Sequence, residues 1–194
     1  METPMRIFPL LLLALAAGGG SALTSCSEDK RETIAISADP ETFPTMKTLD
    51  VSTTISDSGY TRYNITAPIW LMFEEAAEPH WNFPGGIYVV KYDNDMKENG
   101  TFTADTATYL SLQRIWRFDR NVRMKNVNGD RFLTQQLFWD QNRKKLYCDS
   151  FIHIERSDRI IEGYGFESNE AMTEYTIRRP SGIFPTSDFV SRTQ

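Results

Sequence analysis

The sequence predicts an all-β protein, a meandering antiparallel sheet rolled into a sandwich or jelly roll. Three observations carry this. Short runs from Tyr60 onward alternate apolar and polar residues at period two. Clusters of Gly, Pro, Asn and Asp interrupt the runs at strand-like intervals. Helical periodicity is missing from the same region, apart from one short piece around Trp70 to Ala77. There Leu71, Glu74, Glu75, Ala76 and Ala77 are acceptable helix formers.

Composition bounds the function. The 194-residue chain has 21 Lys+Arg against 26 Asp+Glu, a formal net charge of −5, and 40% apolar residues. This is the profile of a globular protein, not of a disordered or collagen-like one. The acidic balance argues against nucleic acid as a partner, because nucleic-acid binders carry a basic excess. Two cysteines exclude a disulfide-rich scaffold, and two histidines leave little material for a His-built metal site.

Taken in chain order, residues 1–25 read as a leader. Arg6 gives a positive start, an apolar run from Ile7 to Ala17 is broken only by Pro9, and small residues follow from Gly18 to Ser21. The run is shorter than the ~20 apolar residues of a membrane span. Its ending, Leu23-Thr24-Ser25-Cys26, resembles a bacterial lipobox. In that reading Cys26 is diacylated and begins the mature chain, which makes this an envelope protein held at a membrane by acyl chains. The alternative is an ordinary signal peptide with a chance cysteine. Cys148 is then unpaired, a state best tolerated when the thiol is buried as a small hydrophobe. No neighbouring motif supports a reactive-thiol role. Residues 26–50 are polar, with a charged run from Glu28 to Glu32 and with Pro40 and Pro44, and read as a flexible tether.

The folded domain is expected over residues 51–184. Every aromatic residue except Phe8 and Phe43 lies from Tyr60 onward. Thr61, Tyr63, Ile65 and Ala67 alternate with polar neighbours, and Ile87 to Tyr92 is β-branched and aromatic. Val122 and Met124 alternate with Arg123 and Lys125. Leu133, Gln135, Leu137 and Trp139 share one side of a further run, Ile152 and Ile154 flank His153, and Tyr175 and Ile177 close the series. Turns are expected at Pro84-Gly85-Gly86, Asp93-Asn94-Asp95, Asn99-Gly100, Asn128-Gly129-Asp130, Asp140-Gln141-Asn142 and Ser157-Asp158. Asn-Gly suits a tight hairpin, where both central residues must accept positive φ. Residues 185–194 form a C-terminal tail.

Several strings then occur in a fixed order. They are Phe83-Pro84-Gly85-Gly86-Ile87-Tyr88, Thr103-Ala104-Asp105-Thr106-Ala107-Thr108-Tyr109, Trp116, Asn121-Val122, Gly129-Asp130-Arg131-Phe132-Leu133-Thr134, Leu137-Phe138-Trp139-Asp140, and Ile161-Glu162-Gly163-Tyr164-Gly165-Phe166-Glu167-Ser168. Their order and spacing resemble the LptC family, the membrane-anchored periplasmic component of lipopolysaccharide export, in its Bacteroidetes-type lipoprotein form. The resemblance spans about Tyr60 to Phe184. It departs where Arg120 takes a frequent glycine place before Asn121-Val122, where Cys148-Asp149 stands for Ser-Asp or Thr-Asp, and where Asn169-Glu170 replaces an acidic turn.

The resemblance implies a twisted open β-jellyroll whose apolar interior holds the acyl chains of lipopolysaccharide. It implies docking of one sheet edge to the periplasmic domain of the inner-membrane ABC transporter and of the other to a soluble periplasmic bridge protein of the same fold. It implies no catalysis and no cofactor, and places the protein in the cell envelope, anchored to the inner membrane. Candidate lipid-lining residues are Val122, Met124, Leu133, Leu137, Trp139, Ile152 and Ile154, with ordinary core packing as the competing role. Gly163 and Gly165 match a Gly-x-Gly motif of the family and suit close backbone packing or a bulge; no helix or third glycine follows to make a phosphate loop. Arg143, Lys144 and Lys145 suit either anionic sugar phosphates at the rim or a solvated turn. His80 and His153 have no array of metal ligands near them in sequence, and Asp105, Glu74 and Glu75 are the carboxylates available to an acid/base pair. Two other functional classes stay open: a docking lipoprotein that carries no lipid, and a carbohydrate-active β-sandwich.

Overall fold

The computed structural model describes residues 39–57 and 59–185. The leader, Cys26, residues 26–38 of the tether and residues 186–194 lie outside the described residues. Those described form an all-β, jellyroll-like domain, one antiparallel sheet of 11 strands without helix. The strands are β1 (Met46–Asp57), β2 (Tyr60–Phe73), β3 (His80–Phe83), β4 (Ile87–Tyr92), β5 (Glu98–Ala104), β6 (Thr106–Leu110), β7 (Ile115–Asn126), β8 (Arg131–Asp140), β9 (Lys145–Glu155), β10 (Arg159–Asn169) and β11 (Tyr175–Pro185). No described helix is long and apolar enough to cross a membrane.

The topology is a meander. β3 and β4 are two pieces of one path, since both pair with β2 on one side and, in turn, with β6 and β5 on the other. β5 and β6 likewise share β7 as their next neighbour. From β7 to β11 each strand pairs with its successor. β1 pairs with β2, and β1 and β11 are the two edges.

Irregularities in adjacent strands line up across this sheet. Asp50, with φ 49°, stands opposite Pro68, which cannot donate to a ladder. Pro84 to Gly86 breaks β3 from β4, and Asp105 breaks β5 from β6. Arg120 and Asn121, with φ 64° and 47°, form a bulge between Asp119 and Val122 in β7. Register shifts follow between Thr134 and Phe138 in β8, between Tyr164 and Phe166 in β10, and between Glu162 and Gly163 against β11. Bulges bend a strand and increase its twist, so a row of them creases the sheet and lets its apolar face close over itself. One cluster of buried residues drawn from β2 to β10 fills the fold, with Phe83, Phe102, Phe118, Phe132 and Phe166 all at 1% exposure or less. Each such side chain contributes about 1.5–3 kcal/mol by leaving water.

Four expectations are corrected. Trp70 to Phe73 is the end of β2 rather than helix, and Glu74 to Glu78 only bends. Met72 pairs with Met46 on one side and Trp81 on the other, and two ladders outweigh a weak helical preference. The tether does not reach Asp50, because β1 starts at Met46. Asn99-Gly100 lies in β5; the turn is instead closed by Asp93, whose Oδ1 accepts from the amides of Asp95 and Lys97 at 2.9 and 3.0 Å. Gly100 is needed for close approach, since a Cβ there would lie 3.0 Å from the Lys125 carbonyl oxygen. Leu133 does not share a side with Leu137 and Trp139. Phe132 and Thr134 face inward, the β8 bulge follows, and Leu137 and Trp139 resume the inward side. Leu133 is left half-buried on the opposite side, beside Arg123 and His153.

Candidate functional site

A cavity of about 740 Å³ opens within the sheet, lined from each of the strands β1 to β8 and from four of the connecting turns. The volume falls in the ~300–1,000 Å³ range of ligand sites. Its floor is aromatic. Trp81 packs on Tyr109 at 4.9 Å between ring centroids, Tyr109 on Trp116 at 4.8 Å, and Trp116 on Phe118 at 5.8 Å. Tyr63 meets Trp139 edge-on at 5.1 Å, and Ile65 and Val89 fill the wall between them. These rings come together because β3, β6 and β7 are neighbours: Trp81 pairs with Tyr109, and Tyr109 with Trp116.

The mouth is charged. Arg62, Lys91, Arg114 and Lys144 line it, against only two carboxylates, Asp93 and Glu170. This cationic excess sits on a chain whose net charge is −5. Arg114 and Lys144 end the four-residue turns after β6 and β8, both with left-handed backbone, φ 57° and 54°. The Lys91 ammonium donates to the Glu170 carbonyl oxygen at 3.3 Å, and the Trp139 indole donates to Glu170 Oε1 at 2.8 Å. Burial pulls Lys91 below the usual lysine range, Glu170 opposes this, and Arg62 adds to the fall. An apolar floor under a cationic mouth suits an amphiphile with an anionic head and hydrocarbon chains.

Of the seven lining candidates, only Trp139 borders this cavity. Val122, Met124, Leu137, Ile152 and Ile154 lie in the packed core at 0–2% exposure, and Leu133 faces the other way. The residues that sequence reading missed are Tyr63, Ile65, Trp81, Val89, Tyr109, Trp116 and Phe118. Their one signal was the density of aromatic residues near strand ends. Of the basic run, Lys144 reaches the mouth, Lys145 is ion-paired with Glu167, and the Arg143 amide closes a turn on Asp140 Oδ1 at 2.9 Å.

Gly165, with φ 75°, occupies the β10 bulge. A Cβ at Gly163 would lie 2.5 Å from Ile177 Cγ2 and 2.6 Å from the Arg179 carbonyl oxygen. Cys148 is buried at 1% exposure, and burial raises its thiol above the ordinary range, away from reactivity. His153 lies on the opposite face from Ile152 and Ile154, its Nδ1 2.7 Å from Glu162 Oε1. The His80 ring stacks on Phe73 at 4.8 Å. Asp105 is engaged in the crease, where its Oδ2 accepts from Asn121 Nδ2 at 2.7 Å. Among the described residues no group of His, Cys, Asp and Glu is arranged to hold a metal ion. No protein-family model matches the chain, and no curated protein matches it.

Proposed function

We propose that this protein is a membrane-anchored, LptC-like component of lipopolysaccharide export. It takes the lipid from the inner-membrane ABC transporter and relays it to a soluble periplasmic bridge protein. Cys26 carries the acyl anchor, the inner membrane holds it, and the domain works in the periplasm without a chemical step. The observation that carries this reading is the cavity, with its floor of Trp81, Tyr109, Trp116 and Phe118 and its cationic mouth. A lipid crossing water must keep its chains dry, at about 0.8 kcal/mol per methylene. The ordered motifs that resemble the LptC family support the same assignment. The open edges β1 and β11 suit strand addition to neighbouring components.

A second reading has its own observation. The interior around Val122, Leu137, Ile152 and Ile154 is solid, as a docking lipoprotein that carries no lipid would have it. Photocrosslinking in the native envelope separates the two. A photoreactive residue in place of Tyr109 is expected to give an ATP-dependent lipopolysaccharide adduct, and one in place of Leu133 none. Protein adducts alone at both positions, in folded and membrane-localised protein, would replace lipid relay by docking.

A further inference from the structure

Among the described residues, six cations elsewhere on the domain are ion-paired and several others are not, but those of the cavity are gathered in one place. Arg117, Arg131, Lys145, Arg156, Arg159 and Arg178 each have a carboxylate within ion-pair distance. Among the described residues, Arg62, Lys91, Arg114 and Lys144 form no ion pair, although they line one partly enclosed space. Arg62 and Lys91 lie on adjacent strands, since Tyr63 is the register partner of Lys91. The two like charges raise each other's energy there, and low-dielectric walls strengthen the effect.

The partners each cation does have are neutral. Lys91 donates to a backbone carbonyl, and Arg62 Nη1 donates to Asn94 Oδ1 at 2.7 Å. The carboxylates nearby have other partners. Asp93 Oδ1 holds two backbone amides, and Glu170 Oε1 holds the Trp139 indole. Donors therefore outnumber acceptors around Lys91 and Arg62, and Arg114 and Lys144 stand on turns at the same mouth. A tetrahedral oxyanion has the charge and the several acceptor oxygens that such a set of donors lacks. A carboxylate has fewer acceptor oxygens and lower charge, so phosphate fits better.

We propose that Lys91 and Arg62, with Arg114 and Lys144 at the same mouth, bind the phosphate group of an amphiphile whose chains rest on the aromatic floor. This deepens the lipid reading and rests on it. Phosphate oxygens take up the spare donors, and the bound dianion removes the repulsion between Arg62 and Lys91. Burial is the first cause of the lowered proton affinity of Lys91, and the neighbouring Arg62 charge adds to it.

The test uses the full chain in detergent and quenching of its tryptophans, three of which (Trp81, Trp116 and Trp139) border the cavity. One probe is phosphatidic acid with brominated chains; the other is diacylglycerol with the same chains. Wild type is expected to bind the phosphate-bearing probe about tenfold more tightly, the factor that corresponds to 1.4 kcal/mol. Lys91→Met and Arg62→Gln are expected to abolish that preference, so that each variant binds the two probes alike. Equal binding of both probes by wild type, or a preference that survives both substitutions, would overturn the anion site while leaving the lipid reading intact. If neither probe quenches, the lipid reading fails, and inorganic phosphate decides the anion site by itself. Thermal stabilisation of wild type but not of Lys91→Met then supports it, and equal response overturns it.

Discussion

At the scale of single residues, three positions carry energies that differ in kind. Arg120 holds a left-handed backbone, φ 64°, in the β7 bulge. That conformation costs a residue with a Cβ about 1–2 kcal/mol, and glycine returns about 0.5–1 kcal/mol of it through unfolded-chain entropy. Arg120→Gly is therefore expected to raise stability by about 0.5 kcal/mol in denaturant melts; a loss would mean that the Arg120 side chain has work beyond the bulge. The resemblance placed a glycine there, and the backbone supplies the reason. Lys91 is charged in the unfolded chain and partly desolvated in the fold, so its folded proton affinity is below the unfolded one. The unfolded state then binds more protons between the two values, and stability contributed by this site rises with pH through that window, up to the ordinary lysine range. Lys91→Met is expected to flatten this slope and to stabilise the protein at neutral pH, at the expense of the phosphate preference. Cys148 has the opposite sign. Its raised folded value leaves stability whole below the ordinary thiol range and erodes it as pH climbs from there to the folded value. Thiol reagents should accordingly label Cys148 at the rate of unfolding, and fast labelling of native protein would contradict its burial.

At the scale of elements, bulges decide which face a residue takes, and bulges are what period-two reading cannot see. The alternation in β8 reads as one continuous face through Leu133, Leu137 and Trp139, but the extra residues between Thr134 and Phe138 exchange the faces midway. Thr134 fixes the exchange, since its hydroxyl donates to the Phe151 carbonyl at 2.7 Å. Leu137→Ala is expected to cost about 2–5 kcal/mol and Leu133→Ala about 1 kcal/mol or less; equal losses in thermal melts would place both on one face after all. Where alternation runs unbroken it was legible, as in β9, where Ile152 and Ile154 face inward and flank His153. β1 was not, because its Ser and Thr residues and its charged start resemble a tether until β2 is there to pair with it. Turns were legible where a side chain closes them. Asn126 Oδ1 accepts from the amides of Asn128 and Asp130 at 3.0 and 2.9 Å, and Asn169 Oδ1 accepts from Thr173 at 3.0 Å. Gly163 was marked only by its neighbour Gly165, and its reason lies across the ladder in Ile177 and Arg179.

At the scale of the whole domain, stability and binding are expected to reside in different regions of one continuous interior. The strands from β7 to β10 pack Phe132, Leu137, Ile152, Ile154 and Phe166 without exposure, and that region contributes the bulk of the hydrophobic free energy. The cavity region instead leaves Tyr63, Trp81 and Tyr109 only partly covered, an arrangement that gives up packing. Trp139 and Phe118 belong to both, and of the seven candidates read from the sequence only Trp139 borders the cavity: the sheet's curl, set by its crease, brings strands distant in sequence around the opening. The division predicts a crossed outcome. Ile152→Ala should lose about 2–5 kcal/mol of stability while its folded fraction binds the brominated lipid as wild type does. Ile55→Trp adds a ring to the cavity wall from β1, so it should hold or raise stability by about 1 kcal/mol and exclude the lipid. Melting curves read the first quantity and tryptophan quenching, normalised for the added ring, reads the second. If Ile55→Trp bound lipid normally while folded Ile152→Ala did not, the binding region would have to move from the cavity into the core of β7 to β10.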